Sequence, residues 1–252
     1  MTQKNLRKCL PELNEADIKT LTRQSIIETC RTAIEAGAIW RNSWDWLKSK
    51  IVSAEGEDVL RAELAKGKGL IVLAPHLGNW EVTAPYVASF APLVAMYQPL
   101  AIPKLDELIL SGRSKNNISM APTNRKGVAM LLKTLQQGAV VGVLPDQVPE
   151  KNAGGEAVPF FGKPAMTMSL VSSLVARTQC RVVIVVAKRV SGGFTLITMP
   201  AHAKIYSDDP LESLEGMNLS VEACVRLAPA QYQWEYNRFR WLPEHLRETK
   251  KH

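Results

Sequence analysis

The chain has 252 residues, of which 46% are hydrophobic, and its formal net charge at pH 7 is +7. This length and composition can bury a full core, so one α/β domain is the default expectation. The basic excess favours a partner with phosphates: nucleic acid, an anionic membrane surface or a phosphorylated small molecule. The four cysteines are far apart and lack metal-ligand spacing, which argues against zinc and a disulfide framework and predicts reduced thiols: Cys9, Cys30, Cys180 and Cys224.

The first part of the chain is predicted to be helical. Asn14 is a candidate helix cap, with Asp17 three residues later, and apolar and charged residues mix beyond it. Trp40 and Trp44 are spaced to share a helical face. We therefore predict a helical lead-in over residues 1–66 and an α/β core over residues 67–252, together forming a single domain.

The segment Val82–Pro103 contains no charged residue and is long enough to span a bilayer. It also contains four prolines at intervals of four to seven residues, which would interrupt the hydrogen bonds of a helix repeatedly. A helix followed by a buried strand is the better prediction. No secretory signal is expected, because the basic residues near Met1 are not followed by an apolar run.

From Gly69 onward, short apolar runs alternate with amphipathic segments, a pattern typical of α/β folds with a largely parallel central sheet flanked by helices. The predicted strands are Leu70–Ala74, Leu93–Tyr97, Val140–Leu144, Val182–Ala187 and Phe194–Met199. The predicted helices are Asn79–Ser89, Lys104–Lys115, Lys126–Gln137 and Met166–Thr178. The last two strands should form an antiparallel hairpin, because only Ser191-Gly192-Gly193 lies at their connection.

His76 follows the first predicted strand of this core, and Glu81 lies in the first turn of the next helix. From the strand-to-helix turn, His76 can donate a hydrogen bond from one imidazole nitrogen to the Glu81 carboxylate and use the other nitrogen to remove a proton from a hydroxyl. Gly78 permits a tight turn, and the N–H groups near Asn79 are predicted to bind an anionic oxygen. A structural role for a lone histidine at a strand end is the alternative.

Other candidates lie further along the chain. Asp146 and Gln147 end a predicted strand, where parallel sheets present functional side chains. Phe160 and Phe161 either line a ligand channel or belong to the core. The nucleotide-binding patterns GxxxxGK[ST] and GxGxxG and the nucleophile pattern GxSxG do not occur.

His76 and Glu81 form an H-x4-E block within PHLGNWE, which resembles the signature of glycerolipid and lysophospholipid acyltransferases. In detail the chain is similar to the bacterial lipid A biosynthesis acyltransferases, the lauroyl or myristoyl transferases. The likeness continues in order through four further blocks, at residues 97–100, 112–113, 141–147 and 158–165, and ends in residues 233–240.

The resemblance implies transfer of a fatty acyl group from an acyl carrier protein thioester to a hydroxyl of a lipid A precursor. His76 would be the general base, Glu81 would orient it, and neither a covalent acyl-enzyme nor a cofactor is required. Arg113 occupies the place of an arginine in the family's second motif, where it would hold a phosphate or polarise the thioester. Asp146 falls in a block that shapes the acceptor site, with Gln147 beside it, and Gly78, Asn79, Phe160 and Phe161 complete the expected substrate contacts.

The resemblance also bears on location. Family members carry a hydrophobic helix before the region where this chain starts, so we expect peripheral association with the cytoplasmic face of the bacterial inner membrane. Trp40 and Trp44 would pack in the core or contact lipid. A solvated basic tail would add attraction to anionic lipid through Arg238, Arg240, Arg247, Lys250 and Lys251.

Two alternatives remain open at this point. The acceptor could be another glycolipid or lipid-like molecule, or the chain could be a non-catalytic lipid-binding relative. Nucleic-acid binding is not expected, because charge alone suggests it and no reader motif accompanies the charge.

Overall fold

The computed structural model describes residues 1–115, 117–150 and 154–246. Its centre is a seven-stranded sheet whose strands are β1 (Ile51–Glu55), β2 (Leu70–Leu73), β3 (Leu93–Tyr97), β4 (Ile118–Pro122), β5 (Val140–Val143), β8 (Arg181–Val190) and β9 (Gly193–Pro200). A separate antiparallel pair is formed by β6 (Gly155–Phe160) and β7 (Lys163–Met168). The helices are α1 (Thr2–Cys9), α2 (Glu15–Arg41), α3 (Trp44–Lys48), α4 (Glu57–Ala65), α5 (Thr83–Ala88), α6 (Pro103–Arg113), α7 (Arg125–Gln136), α8 (Leu170–Thr178) and α9 (Pro210–Leu227).

The strand order of the large sheet is β1-β9-β8-β2-β5-β3-β4. All its neighbouring strands are parallel except β8 and β9, which form the expected antiparallel hairpin. The α/β fold with a largely parallel sheet is therefore confirmed.

Side-chain alternation explains why both faces of the sheet are covered. On β2, Ile71 and Leu73 belong to one buried cluster, whereas Leu70 and Val72 belong to the cluster on the other face. A strand with apolar residues at every position needs helices on both sides. Helices pack against both faces and so leave the ends of the strands as the accessible part of the sheet.

The N-terminal region is helical apart from one strand. The Asn14 side chain caps α2 by accepting from the N–H groups of Ala16 and Asp17. Within residues 1–66, however, β1 joins the edge of the sheet beside β9. The shared helical face of Trp40 and Trp44 was a wrong prediction, because α2 ends at Arg41 and Ser43 caps the separate helix that begins at Trp44.

Two other predictions need correction. The helix predicted over Met166–Thr178 begins only at Leu170, because Met166–Met168 pair with β6 as the end of β7. The terminal Arg238 is not solvated but 3% exposed, and its guanidinium donates to Thr167 Oγ1 and Asn218 Oδ1. Arg240 stacks on the rings of Tyr236 and Trp241, whereas Arg247, Lys250 and Lys251 lie outside the described residues.

The uncharged segment Val82–Pro103 contains α5 followed by the buried strand β3, as predicted. Throughout residues 1–115, 117–150 and 154–246, we find no helix with the length and apolar character needed to cross a bilayer.

Candidate active site

The carboxyl ends of β2 and β5 bring His76 and Asp146 together. The two strands are parallel neighbours with Leu73 opposite Val143, and His76 and Asp146 each follow three residues later. His76 Nδ1 is 2.8 Å from Asp146 Oδ1, and the backbone N–H of His76 donates to Oδ2 at 2.9 Å. Both carboxylate oxygens therefore hold the histidine, one through its ring and one through its backbone.

The partners of the His76 ring define its tautomer. An ionised carboxylate only accepts hydrogen bonds, so Nδ1 carries the proton that lies between the ring and Asp146. On the other side of the ring, the Gln147 amide nitrogen lies 3.1 Å from Nε2 and 3.4 Å from Gln233 Oε1. Gln147 thus donates to Nε2, which is an acceptor facing away from Asp146 and is the nitrogen suited to take a proton.

Asp146 is buried, with 3% of its surface exposed. Burial alone would raise the pKa of this carboxyl group, but the charge of His76 and the hydrogen bonds from its ring and backbone outweigh burial and lower the pKa from its ordinary value. Asp146 is consequently ionised at neutral pH and can stabilise positive charge on the imidazole.

Glu81 is not the partner of His76, which corrects the expectation from the H-x4-E spacing. Its carboxylate forms a two-point ion pair with the Arg113 guanidinium, including a bond from Arg113 Nε of 2.9 Å, and also accepts from Trp40 Nε1 at 2.8 Å. Burial would lower the pKa of Arg113, but the hydrogen bonds and charge of Glu81 raise it instead. The site therefore contains two charge pairs, His76–Asp146 and Glu81–Arg113.

Both pairs touch the same short turn. The 3-10 turn Trp80–Val82 carries Glu81, and the ring of Trp80 packs on the His76 imidazole with centroids 4.8 Å apart. The Arg113 guanidinium lies over the rings of Trp40 and Tyr97. Aromatic side chains thus surround the charged groups and keep them in an apolar setting.

Gly78 and Asn79 have structural roles, and the prediction that N–H groups here bind an anionic oxygen needs correction. The Gly78 N–H donates to Gln231, and the Asn79 N–H donates to Ala187. Gly78 has φ +63°, and a Cβ built on it would lie 2.0 Å from the carbonyl oxygen of Ala187. Asn79 is fully buried, and its side chain joins the Glu81 N–H to the Glu35 carboxylate.

Glu35 belongs to a partly buried ion cluster that holds α2 against β8. Arg189 donates to Glu35 at 2.6 Å and also pairs with Glu28, while Thr32 Oγ1 donates to the Gly78 carbonyl at 2.9 Å. The pKa of Glu35 is lowered, because hydrogen bonds from Arg189 and Asn79 outweigh the effect of burial. This cluster fixes the turn that carries the site residues.

Phe160 and Phe161 lie among other aromatic side chains. Phe160 is 1% exposed and belongs to the main buried cluster. The rings contact each other and those of Tyr232, Trp234 and Phe239. An acyl-chain channel along them stays a prediction. Phe160 ends β6, which begins at Gly155.

An open groove of about 440 Å³ lies elsewhere, between the segment that joins α1 to α2, the start of α2 and the end of α9. Its lining includes Leu10, Leu13, Leu21 and Val225 but none of the predicted site residues. The candidate site is therefore identified by its two charge pairs and not by the size of a cavity.

Sequence reasoning did not select Trp40, Gln233, Glu35 or Arg189 as site residues. The spacing of Glu28 and Glu35 offered a signal, because residues seven apart share a helical face and two acids there call for a cation. Gln233 lies in the closing block of the family resemblance, at residues 233–240, but nothing local indicates that its backbone N–H donates to the His76 carbonyl from the far end of the chain.

Comparison with known proteins identifies the family of this chain. Residues 1–241 match the sequence profile of a family described as bacterial lipid A biosynthesis acyltransferase. The chain belongs to this family. The expected relationship is thus confirmed, and the protein is an acyltransferase of lipid A biosynthesis.

Named relatives are similar in sequence to this chain along most of their own length. The chain is 27% identical to the lipid A biosynthesis lauroyltransferase of Escherichia coli K12, covering 97% of this chain and 79% of the relative. It is 23% identical to the palmitoleoyltransferase of the same strain, covering 96% and 79%. It is 27% identical to a lipid A biosynthesis acyltransferase of Haemophilus influenzae, covering 92% and 72%.

Proposed function

We propose that this acyltransferase moves a fatty acyl group from an acyl carrier protein thioester to a hydroxyl of a lipid A precursor, with His76 as general base. The hydrogen bond between His76 Nδ1 and buried, ionised Asp146 is the observation that carries this proposal. It leaves Nε2 as the free base of the pair. General bases of this kind contribute roughly 10²- to 10⁴-fold in rate.

The chemistry follows from this tautomer. The acceptor hydroxyl takes the place of the Gln147 amide at Nε2 and gives its proton to His76 as its oxygen attacks the thioester carbonyl carbon. The negative charge of Asp146 stabilises the imidazolium that forms. When the tetrahedral intermediate collapses, the carbon–sulfur bond breaks and the imidazolium returns the proton to the departing thiolate, so that an ester and a free thiol result.

In this proposal the Glu81–Arg113 pair binds substrate. Arg113 uses Nε and Nη2 for Glu81, and 29% of its side chain remains exposed. A guanidinium held this way has a further N–H edge for a phosphate of the lipid precursor or the oxygen of the thioester carbonyl. Glu81 is thus a positioning residue for Arg113.

The donor and place of reaction are part of the same proposal. The net charge of +7 favours both an acidic carrier protein and an anionic membrane surface. We propose peripheral action at the cytoplasmic face of the inner membrane, where the lipid acceptor would lie.

A reconstituted reaction tests this function. Purified full-length protein would receive a lipid A precursor in detergent and either acyl carrier protein thioesters or coenzyme A thioesters of several chain lengths, with products weighed by mass spectrometry. We expect the acceptor to gain the mass of one fatty acid less one water, with the carrier-protein donor preferred. Failure of every donor to acylate the lipid A precursor, or acylation of a different lipid class only, would contradict the proposal.

A further inference from the structure

Helix α2 has an unusual distribution of side chains. Its acidic residues Glu28 and Glu35 turn inward to Arg189. Three of its five isoleucines, Ile26, Ile27 and Ile34, face outward, and 78% of Ile34 is exposed, whereas Ile18 and Ile39 are buried. An ordinary surface helix has the opposite arrangement, with apolar residues inward and charged residues toward water.

A second exposed apolar segment follows β3. All residues from Gln98 to Leu105 are exposed, and six of these eight are apolar: Pro99, Leu100, Ala101, Ile102, Pro103 and Leu105. Leu108, one turn further along α6, is 51% exposed. Soluble monomers rarely expose contiguous apolar surface of this kind without a binding partner.

Helices α2 and α6, which carry exposed apolar residues of the two regions, meet beside the candidate site. Gly112 of α6 packs so closely on Trp40 of α2 that a Cβ at Gly112 would lie 2.5 Å from the Trp40 Cβ. Trp40 and Arg113 are also the residues that bind Glu81. We call the exposed apolar residues of these two regions the apolar face: Ile26, Ile27, Cys30, Ile34, Leu100, Ile102, Leu105 and Leu108.

The charges around the apolar face favour an anionic partner. On α2 the exposed charged residues between positions 23 and 41 are all basic: Arg23, Arg31 and Arg41. Lys104 adds a positive charge on α6, against one exposed carboxylate at Glu107. A second copy of the chain would bring this basic surface against itself, whereas anionic lipid head groups would neutralise it.

We infer that the apolar face inserts into the interfacial layer of an anionic lipid bilayer and presents the mouth of the site to lipid. Isoleucine and leucine side chains would enter the boundary between head groups and acyl chains, and the arginines and Lys104 would contact phosphates. The inference rests on the proposed function only in placing the acceptor in the same bilayer. Lipid docking itself requires no acyl transfer.

Cys30 provides a direct probe. It lies on the apolar face and is exposed, whereas Cys9, Cys180 and Cys224 are buried. A polarity-sensitive fluorophore on Cys30 of the full chain should shift to the blue with phosphatidylglycerol vesicles and be quenched by spin labels near the head groups. Flotation of the protein with no change at Cys30, no flotation at all, or a concentration-dependent shift without lipid would each overturn the inference.

Variants make the test specific. The double change Ile34→Asn and Ile102→Asn should weaken vesicle binding by roughly tenfold or more, because it removes two apolar anchors. The matched control replaces Val52 and Leu211 with Asn, since these are 59% and 50% exposed but lie outside the apolar face, and it should bind as the unaltered protein does. Equal loss in both double variants, or in neither, would overturn the assignment.

A third arm separates the inference from the proposed function. The His76→Ala protein should bind vesicles as tightly as the unaltered chain, although its acyl transfer in detergent should be lost. If vesicle binding is retained but the unaltered protein acylates no lipid A precursor, the proposed function fails and the docking surface stands. If acylation occurs in detergent but Cys30 never meets lipid, the docking surface fails alone.

Discussion

The His76 imidazole donates a hydrogen bond to Asp146, and the negative charge of this carboxylate stabilises the imidazolium that forms in the proposed reaction. An Asp146→Asn change keeps the size of the side chain but removes the negative charge that stabilises the imidazolium. We expect the turnover rate to fall by roughly 10²- to 10⁴-fold. Steady-state acyl transfer measures this, with Glu150→Gln as a control because Glu150 is an exposed carboxylate that contacts Gln98. A rate within threefold of the unaltered protein would show that Asp146 does not assist the base.

The lowered pKa of Asp146 also predicts how its stabilising effect depends on pH. A depressed carboxyl pKa in the folded state stabilises the protein fully above the unfolded value, about 3.9, and this contribution disappears as pH falls through the folded value. The difference in unfolding free energy between the unaltered protein and Asp146→Asn should therefore shrink below about pH 4. Denaturant unfolding at a series of pH values tests this; a difference that grows on acidification would contradict it.

The Glu81–Arg113 ion pair predicts that the effects of replacing its two residues on the free energy of unfolding are strongly non-additive. Removing Arg113 leaves the buried Glu81 carboxylate unpaired, which costs about 3–5 kcal/mol in comparable pairs, and removing Glu81 leaves the partly exposed Arg113 unpaired at a smaller cost. Glu81→Gln and Arg113→Gln should each destabilise the fold, and the double variant should cost less than the sum of the two. A double-mutant cycle on unfolding free energy measures the coupling, with the exposed Arg7–Glu15 pair as a control expected to show little. Additive costs would contradict the buried pair.

Among the site residues, those next to strand ends were predictable and their pairing was not. His76, Asp146 and Gln147 follow apolar runs, so the sequence indicated their edge of the sheet. It did not show that β2 and β5 are neighbours, and this adjacency is what gives His76 its carboxylate from Asp146 rather than from nearby Glu81. Local spacing could not predict that Arg113 and Trp40 donate hydrogen bonds to the Glu81 carboxylate.

At the scale of secondary-structure elements, the turn between β2 and α5 depends on one glycine. Gly78→Ala would force a side chain into a left-handed backbone and onto the Ala187 carbonyl 2.0 Å away. We expect a loss of several kcal/mol in unfolding free energy, against about 1 kcal/mol for the backbone strain alone. Gly162→Ala is the matched control, since its φ is +68° but nothing lies within 4 Å of its added Cβ. Equal losses in the two variants would disprove the close approach to β8.

Strands with strong apolar patterns were predicted well and those with weak patterns were missed. β3 matches its predicted bounds, and β2, β5, β8 and β9 lie close to theirs. β4 was missed because Ile118–Pro122 ends in proline and forms an edge of the sheet, where alternation is weak. β6 and β7 each contain a proline and pair only with each other, so they lack the long apolar run of a central strand.

At the scale of the whole molecule, the site exists only in the assembled fold. His76 and Asp146 come from neighbouring strands, Arg113 from α6, Trp40 from α2 and Gln233 from the C-terminal segment. The inward acids of α2 secure the turn that carries Glu81, and its outward isoleucines together with Cys30 form half of the apolar face. One helix thereby links the geometry of the charge pairs to the proposed contact with lipid.

The central claim is that His76 is the base for acyl transfer, and the His76→Gln variant tests it most directly. Glutamine retains hydrogen-bonding groups near Asp146 and Gln147 but cannot take a proton at neutral pH. With lipid A precursor and acyl carrier protein thioester at saturation, we predict a turnover rate roughly 10²- to 10⁴-fold below that of the unaltered protein, with equal stability to denaturant within about 1 kcal/mol. A His76→Gln protein that folds normally and transfers acyl groups at the unaltered rate would contradict the account.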